Sequence, residues 1–144
     1  MIKLSRLTDY AIVIVAELSR TPGDIQAATT LSARTRIPEP TVAKVLKILA
    51  RSRVLDSSRG VNGGYVMNRA LHDVSIGEII EAMNGPVSLT ACVEDGEEEC
   101  SVSGICLLKG RWTPLNDAIR NAFSSVRLSD MIKSAPSGSG SKQV

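Results

Sequence analysis

All three cysteines of the chain, Cys92, Cys100 and Cys106, fall in the stretch ACVEDGEEECSVSGICLLKGRW, residues 91–112, with a third of its fifteen acidic residues. Thiols gathered in this way can hold a metal centre, pair as a disulfide or attack a substrate. The spacing Cys-x7-Cys-x5-Cys lets a flexible loop fold three sulfurs around one centre, and Gly96 and Gly104 help that loop to turn. MIKLSRLTDY carries no apolar stretch flanked by a cleavage site, and the longest apolar run, residues 10–16, falls far short of a membrane span. A cytoplasmic protein without a membrane partner is therefore expected. Thiols are kept reduced there, so an odd, clustered set argues against a disulfide framework and towards ligation or redox sensing. A cysteine nucleophile would need a neighbouring base. One histidine, His72, and no Gly-rich phosphate motif make an enzyme with a small-molecule substrate a poor reading. The acidic run Glu94, Asp95, Glu97, Glu98 and Glu99 reads as a solvated loop, since these charges raise thiol pKa values and oppose an anionic cluster.

A second chemistry lies in the charge distribution. The net charge is only +2, but residues 1–72 carry eleven Lys/Arg against five Asp/Glu, and residues 73–144 carry six against ten. The first half suits a polyanionic partner and the second does not. With 144 residues, 43% of them hydrophobic, the chain can form one compact domain, or a small domain plus an oligomerisation element.

Helices must position these groups. In LTDYAIVIVAEL, residues Leu7, Tyr10, Ala11, Ile14, Val15 and Leu18 recur at helical spacing, and Ile12, Val13 and Ala16 make the other side apolar as well. A short helix is expected from about Thr29 to Thr35, capped by Thr29 or Thr30, and another from Glu39 to Thr41 onward, behind Pro38 and Pro40. Val42, Val45, Leu46 and Leu49 form its buried stripe, leaving Thr41, Lys44, Lys47 and Arg51 on the surface. Val54-Leu55 should begin a strand that SSRGVNGG turns back into Tyr65-Val66-Met67. Two helices followed by a basic, glycine-tipped hairpin predict a mainly α fold: a winged helix-turn-helix with a small β-hairpin wing. Its helix can present Thr41 and Lys44 to base edges and Lys47 and Arg51 to phosphates. Arg59 could enter a minor groove, and the backbone around Asn62 and Gly63 could approach phosphate.

In VSIGEIIEAMNGPV, Ser75 and Glu78 form a capping box, and Gly85-Pro86 ends the helix. Trp112, Leu115, Ile119, Ala122, Phe123 and Val126 mark a last helix, broken from the preceding residues at Thr113-Pro114. So short a domain leaves that helix too few neighbours, so a dimerisation helix and a homodimer are expected. The polar tail from Ser134 should be disordered. The expected division is residues 1–84 for the winged helix-turn-helix, 85–106 for the cysteine loop, 107–133 for the dimerisation region and 134–144 for the tail.

LTDYA, VAKVLKILARSRVLDSSRGVNGGYVMNRA, VSIGEIIEAMNGPV, three cysteines and a tryptophan-bearing helix follow one another in order over roughly residues 1–132. This pattern resembles the winged-helix iron-sulfur transcription regulators that include IscR and NsrR, and most of all the subgroup regulating the SUF iron-sulfur assembly operon. The resemblance implies a homodimeric bacterial regulator, a repressor of a double-stranded DNA operator. It also implies a 2Fe-2S or 4Fe-4S cluster held by Cys92, Cys100 and Cys106. IscR-like members place a histidine three positions after the last cysteine, where this chain has Lys109. NsrR-like members use an aspartate from the partner's first helix, and Asp9 stands at the matching position. Asp9 reads equally well as a first-turn carboxylate favoured by the helix dipole. A cluster-free thiol/disulfide regulator and a zinc-dependent regulator of the same fold remain open.

Overall fold

The computed structural model describes residues 2–93 and 99–132. The acidic residues 94–98 and the tail 134–144 lie outside the described residues. Helix α1 (Arg6–Leu18) begins where the Ser5 side chain accepts a hydrogen bond from the Thr8 amide. Its expected stripe packs inward: Ala11, Ile14, Val15 and Leu18 are buried, while Val13 on the opposite side is exposed.

Helix α2 (Ala28–Thr35) starts earlier than expected, and neither Thr29 nor Thr30 caps it. The reason lies upstream, where Gln26 forms an antiparallel bridge with Tyr65 that holds the chain extended up to the helix. Arg36 then takes a left-handed conformation, φ 61°, and ends α2. The Ser32 hydroxyl donates to the Ile37 carbonyl at 2.6 Å, closing the turn and seating Ile37 in the core. Helix α3 (Glu39–Arg51) follows with Pro40 in its first turn, where no amide partner is lost, and buries Val42, Val45, Leu46 and Leu49.

Val54 and Leu55 do not begin a strand. Both amides donate to the Leu49 carbonyl, and both side chains are buried beneath the end of α3. Strand β1 is Asp56–Ser58, paired antiparallel with β2 (Gly64–Val66) in the register Asp56 to Val66 and Ser58 to Gly64.

Helix α4 (Ile76–Asn84) carries the expected capping box: Ser75 accepts from the Glu78 amide, and Glu78 accepts from the Ser75 amide at 2.9 Å. Gly77 is buried, and a Cβ there would stand 2.9 Å from Ser124 Oγ, so its small size lets α4 and the last long helix approach closely. That helix, α5 (Thr113–Ser125), begins at the Thr113-Pro114 break. A short α6 (Leu128–Met131), not foreseen, plugs the core with Leu128, and Arg127 bridges back to Ser75. The core thus sits between α1, α3 and α4, closed by Leu31, Leu55 and Leu128. Among the described residues no helix is long and apolar enough to cross a membrane.

Candidate nucleic-acid interface and cysteine segment

Burial of one face of α3 dictates what the other presents. Lys44, Lys47 and Arg51 recur at three- and four-residue spacing and are exposed, with Thr41 half-buried near the start. Lys44, Lys47, Arg51, Arg53 and Arg59 form no ion pair with any carboxylate among the described residues. Their charge therefore faces solvent without a neutralising partner, which is what a polyanion would meet.

The wing stands beside this helix. Gly60 turns with φ 108°, and the Gly63 amide donates to the Gly60 carbonyl at 3.0 Å. A Cβ on Gly63 would collide with the Ser58 carbonyl oxygen, and one on Gly64 with the Gln26 carbonyl oxygen. Gly63 was expected to offer free backbone to a phosphate. The wing's own turn occupies the Cβ side of Gly63, and Arg59 and Asn62 beside it are exposed.

Two features here escape the sequence reading. Val61 is fully exposed in the wing, an apolar side chain between the expected contacts Arg59 and Asn62. Gln26 is buried, accepts from Arg34 Nη1 at 2.9 Å and donates to the Thr21 hydroxyl, so the bridge to Tyr65 is locked to α2. The one local sign of either residue was the departure from polarity at Val61.

The cysteine segment is built differently. Residues 85–112 form no helix or strand among the described residues, and all three thiols are free and half-buried. Cys92 is the most elaborated: the Thr90 hydroxyl lies 3.3 Å from its sulfur. That hydrogen bond and the Gly110 amide, with lesser help from the charge of Lys109, hold the thiol below its ordinary pKa against the opposing effect of burial. Cys92 is thereby brought next to the far end of the same segment. Its start is gripped by Asn116, whose amide accepts from the Leu89 N–H and donates to the Val87 carbonyl, each at 2.8 Å.

Asp9 is exposed in the first turn of α1 and borders an open groove with Lys3, Ser5, Arg6 and Asn84. His72 lies in a 3-10 turn, Leu71–Asp73, 3.4 Å from the Asp73 carboxylate. Three free thiols are the donor type that iron-sulfur clusters take, so the residues present fit such a group chemically. In a single chain, however, no three His, Cys, Asp or Glu side chains among the described residues converge closely enough to hold a metal ion.

Residues 4–134 match the Rrf2 family, described as iron-dependent transcriptional regulators. The chain belongs to the Rrf2 family. IscR of Pectobacterium carotovorum is 27% identical to this Rrf2 chain over 84 residues, 58% of this chain and 50% of that protein. The chain thus spans about half the length of the IscR sequences it matches. CymR of Bacillus subtilis is 25% identical over 130 residues, 90% of this chain and 88% of its own. The solved structure of T. potens IscR has a TM-score of 0.65 at 22% identity, covering 96% of this chain and 94% of that one, which shows the shared winged-helix fold.

Proposed function

We propose that this Rrf2 chain is a cytoplasmic, homodimeric transcription regulator, a repressor of iron-sulfur assembly genes, whose affinity for a double-stranded DNA operator is set by an iron-sulfur cluster. The observation that carries the DNA-binding part is the unneutralised basic face of α3 beside the wing. On this reading Thr41 and Lys44 meet base edges, while Lys47 and Arg51 meet phosphates. Arg59 reaches into a minor groove, and Asn62, with the turn held open by Gly63, supports that approach.

Dimerisation is supported by the surface that leads into α5. Leu107 is 91% exposed, and Leu108, Trp112 and Leu115 are also exposed, an apolar stretch that water would leave costly and a second copy would cover. Cys92, Cys100 and Cys106 are the donors for the cluster, with Asp9 of the partner subunit as the fourth. A cluster bound there supplies electron-transfer chemistry that responds to oxidant or iron supply. The protein's part is to bring the segment to order when loaded and to release it when empty, biasing the distance between the two recognition helices.

Anaerobic purification, a visible spectrum and assays of iron and acid-labile sulfide per chain test the cluster. The expected product is coloured and contains both elements. A colourless, iron-free product that still binds DNA in a redox-dependent way would replace it with the second reading, a cluster-free thiol regulator. That reading is favoured by one observation: the likeness to CymR of Bacillus subtilis extends over 90% of this chain, against 58% for IscR.

A further inference from the structure

Helix α5 carries the apolar stripe Trp112, Leu115, Ile119, Ala122, Phe123 and Val126, for which its own domain was expected to offer too few neighbours. Its one buried residue is polar, Asn116, which is 3% exposed, while Trp112 and Leu115 just before it are exposed. A buried carboxamide costs free energy unless its donor and acceptor both find partners. Both partners here are backbone groups two residues apart, the Leu89 N–H and the Val87 carbonyl, each at 2.8 Å. The side chain thus imitates the edge of a neighbouring strand and splints an otherwise irregular segment to the first turn of α5. The Asn116 amide itself donates to the Trp112 carbonyl at 2.9 Å, so the splint is anchored in helical backbone.

The splinted residues lead directly to the first thiol. Leu89 is followed by Thr90, whose hydroxyl touches Cys92 Sγ and whose carbonyl accepts from the Val93 amide at 3.3 Å. Val93 is buried, so the chain is held on both sides of Cys92: by Asn116 before it and by an apolar anchor after it. Neither Cys100 nor Cys106 has such a hold from a helix side chain among the described residues.

We propose that Asn116 is the positioning residue for Cys92, linking the place of this thiol to helix α5. The inference rests on the reading that the cysteine segment is the sensing element, and it applies whether the thiols hold a cluster or act as thiols. Any rearrangement at Cys92 then pulls on α5, the helix with the exposed apolar stripe, through two hydrogen bonds.

The test uses the full chain in its reduced form. In Asn116→Ala, the Leu89 amide should exchange with solvent about tenfold faster, as expected for loss of its part-buried hydrogen bond, while amides of Leu46 and Leu49 in α3 keep their rates. A nitroxide on Cys92, in a Cys100→Ser, Cys106→Ser chain, should shift from slow to fast motion in Asn116→Ala. A nitroxide on Cys100, in a Cys92→Ser, Cys106→Ser chain, should not change. Asn116→Asp keeps the acceptor for Leu89 but not the donor for Val87, so it should retain Leu89 protection and give an intermediate Cys92 spectrum; it also serves if the alanine variant fails to fold. Unchanged Leu89 exchange, or labels at Cys92 and Cys100 loosened equally together with a lower Tm, would overturn the proposal and leave Asn116 a general packing residue. Failure of the sensing reading has a different signature: Cys92→Ser then binds DNA with the redox response of the parent, while the exchange and label results stand.

Discussion

The two ends of this chain use their apolar residues in opposite ways. From Ala11 to Ile80 the apolar residues at helical spacing close on one core, whereas beyond residue 84 only Val93 and Leu128 are buried among the described apolar side chains, and Leu107, Ile105 and Leu115 face solvent. The first region holds its functional side chains by packing the back of the helix that carries them. In the second, Asn116 hydrogen-bonds the backbone of Val87 and Leu89 and the Thr90 hydroxyl meets Cys92 Sγ, on a segment without regular structure among its described residues. Packed scaffolds are stiff because every neighbour must move together, while a segment held by a few hydrogen bonds opens at small cost. On the proposed function, those are the properties that a reader of DNA and a sensor of chemical state need respectively.

The sharpest way to break this contrast is in the core. Leu46→Ala should lower the free energy of unfolding by about 2–5 kcal/mol, read by urea denaturation, since Leu46 is fully buried behind the basic face of α3. Lys44→Ala should leave stability alone and cost about 1–3 kcal/mol in operator affinity with relaxed site preference, while Lys47→Ala should weaken all sequences alike and reduce the salt slope of binding by about 1. Equal effects of the two lysine changes on specific and random DNA would remove the distinction drawn between base and phosphate contacts.

Smaller effects follow at α4. Ser75→Ala should cost about 1 kcal/mol through loss of the cap to the Glu78 amide, measured by thermal denaturation. Burial alone would raise the Glu78 pKa, but the Arg69 hydrogen bond at 3.0 Å, the Ser75 amide and the charges of Arg69 and Arg127 outweigh it and hold the carboxyl below its usual value. A carboxyl lowered in the folded state stabilises fully above the ordinary carboxylate range, about pH 4.3, and loses that contribution as pH falls through the lowered native value. Glu78→Gln should therefore flatten part of the acid limb of the stability profile, with little change in its slope near neutrality. The smallest effect on folding belongs to the second region: Leu107→Ser should change unfolding by no more than about 0.5 kcal/mol yet weaken self-association in sedimentation equilibrium. A large folding cost there would mean that the exposed stretch packs within its own chain.

Much of the first region was legible because its signals are local and periodic. The α1 and α3 stripes, the Ser75–Glu78 capping box and the Asn-Gly-Gly turn each follow from residues within a few positions of one another. The strand boundary at Val54-Leu55 was misplaced because β propensity favours these residues, whereas the Leu49 carbonyl captures both amides and the core takes both side chains. The start of α2 was misplaced for a related reason, since Tyr65, far along the chain, fixes Gln26.

By itself, the sequence determined the winged-helix order, the basic face of α3 and the gathering of three thiols on one segment, because helix period, turn chemistry and charge are written in neighbouring residues. Only the tertiary structure decided that Gly63 and Gly64 serve close backbone approaches, that Leu128 completes the core and that Asn116, not an apolar residue, is what α5 buries. Those outcomes depend on which backbone groups from distant parts of the chain arrive unpaired beside a side chain able to satisfy them, as the groups of Val87 and Leu89 do beside Asn116.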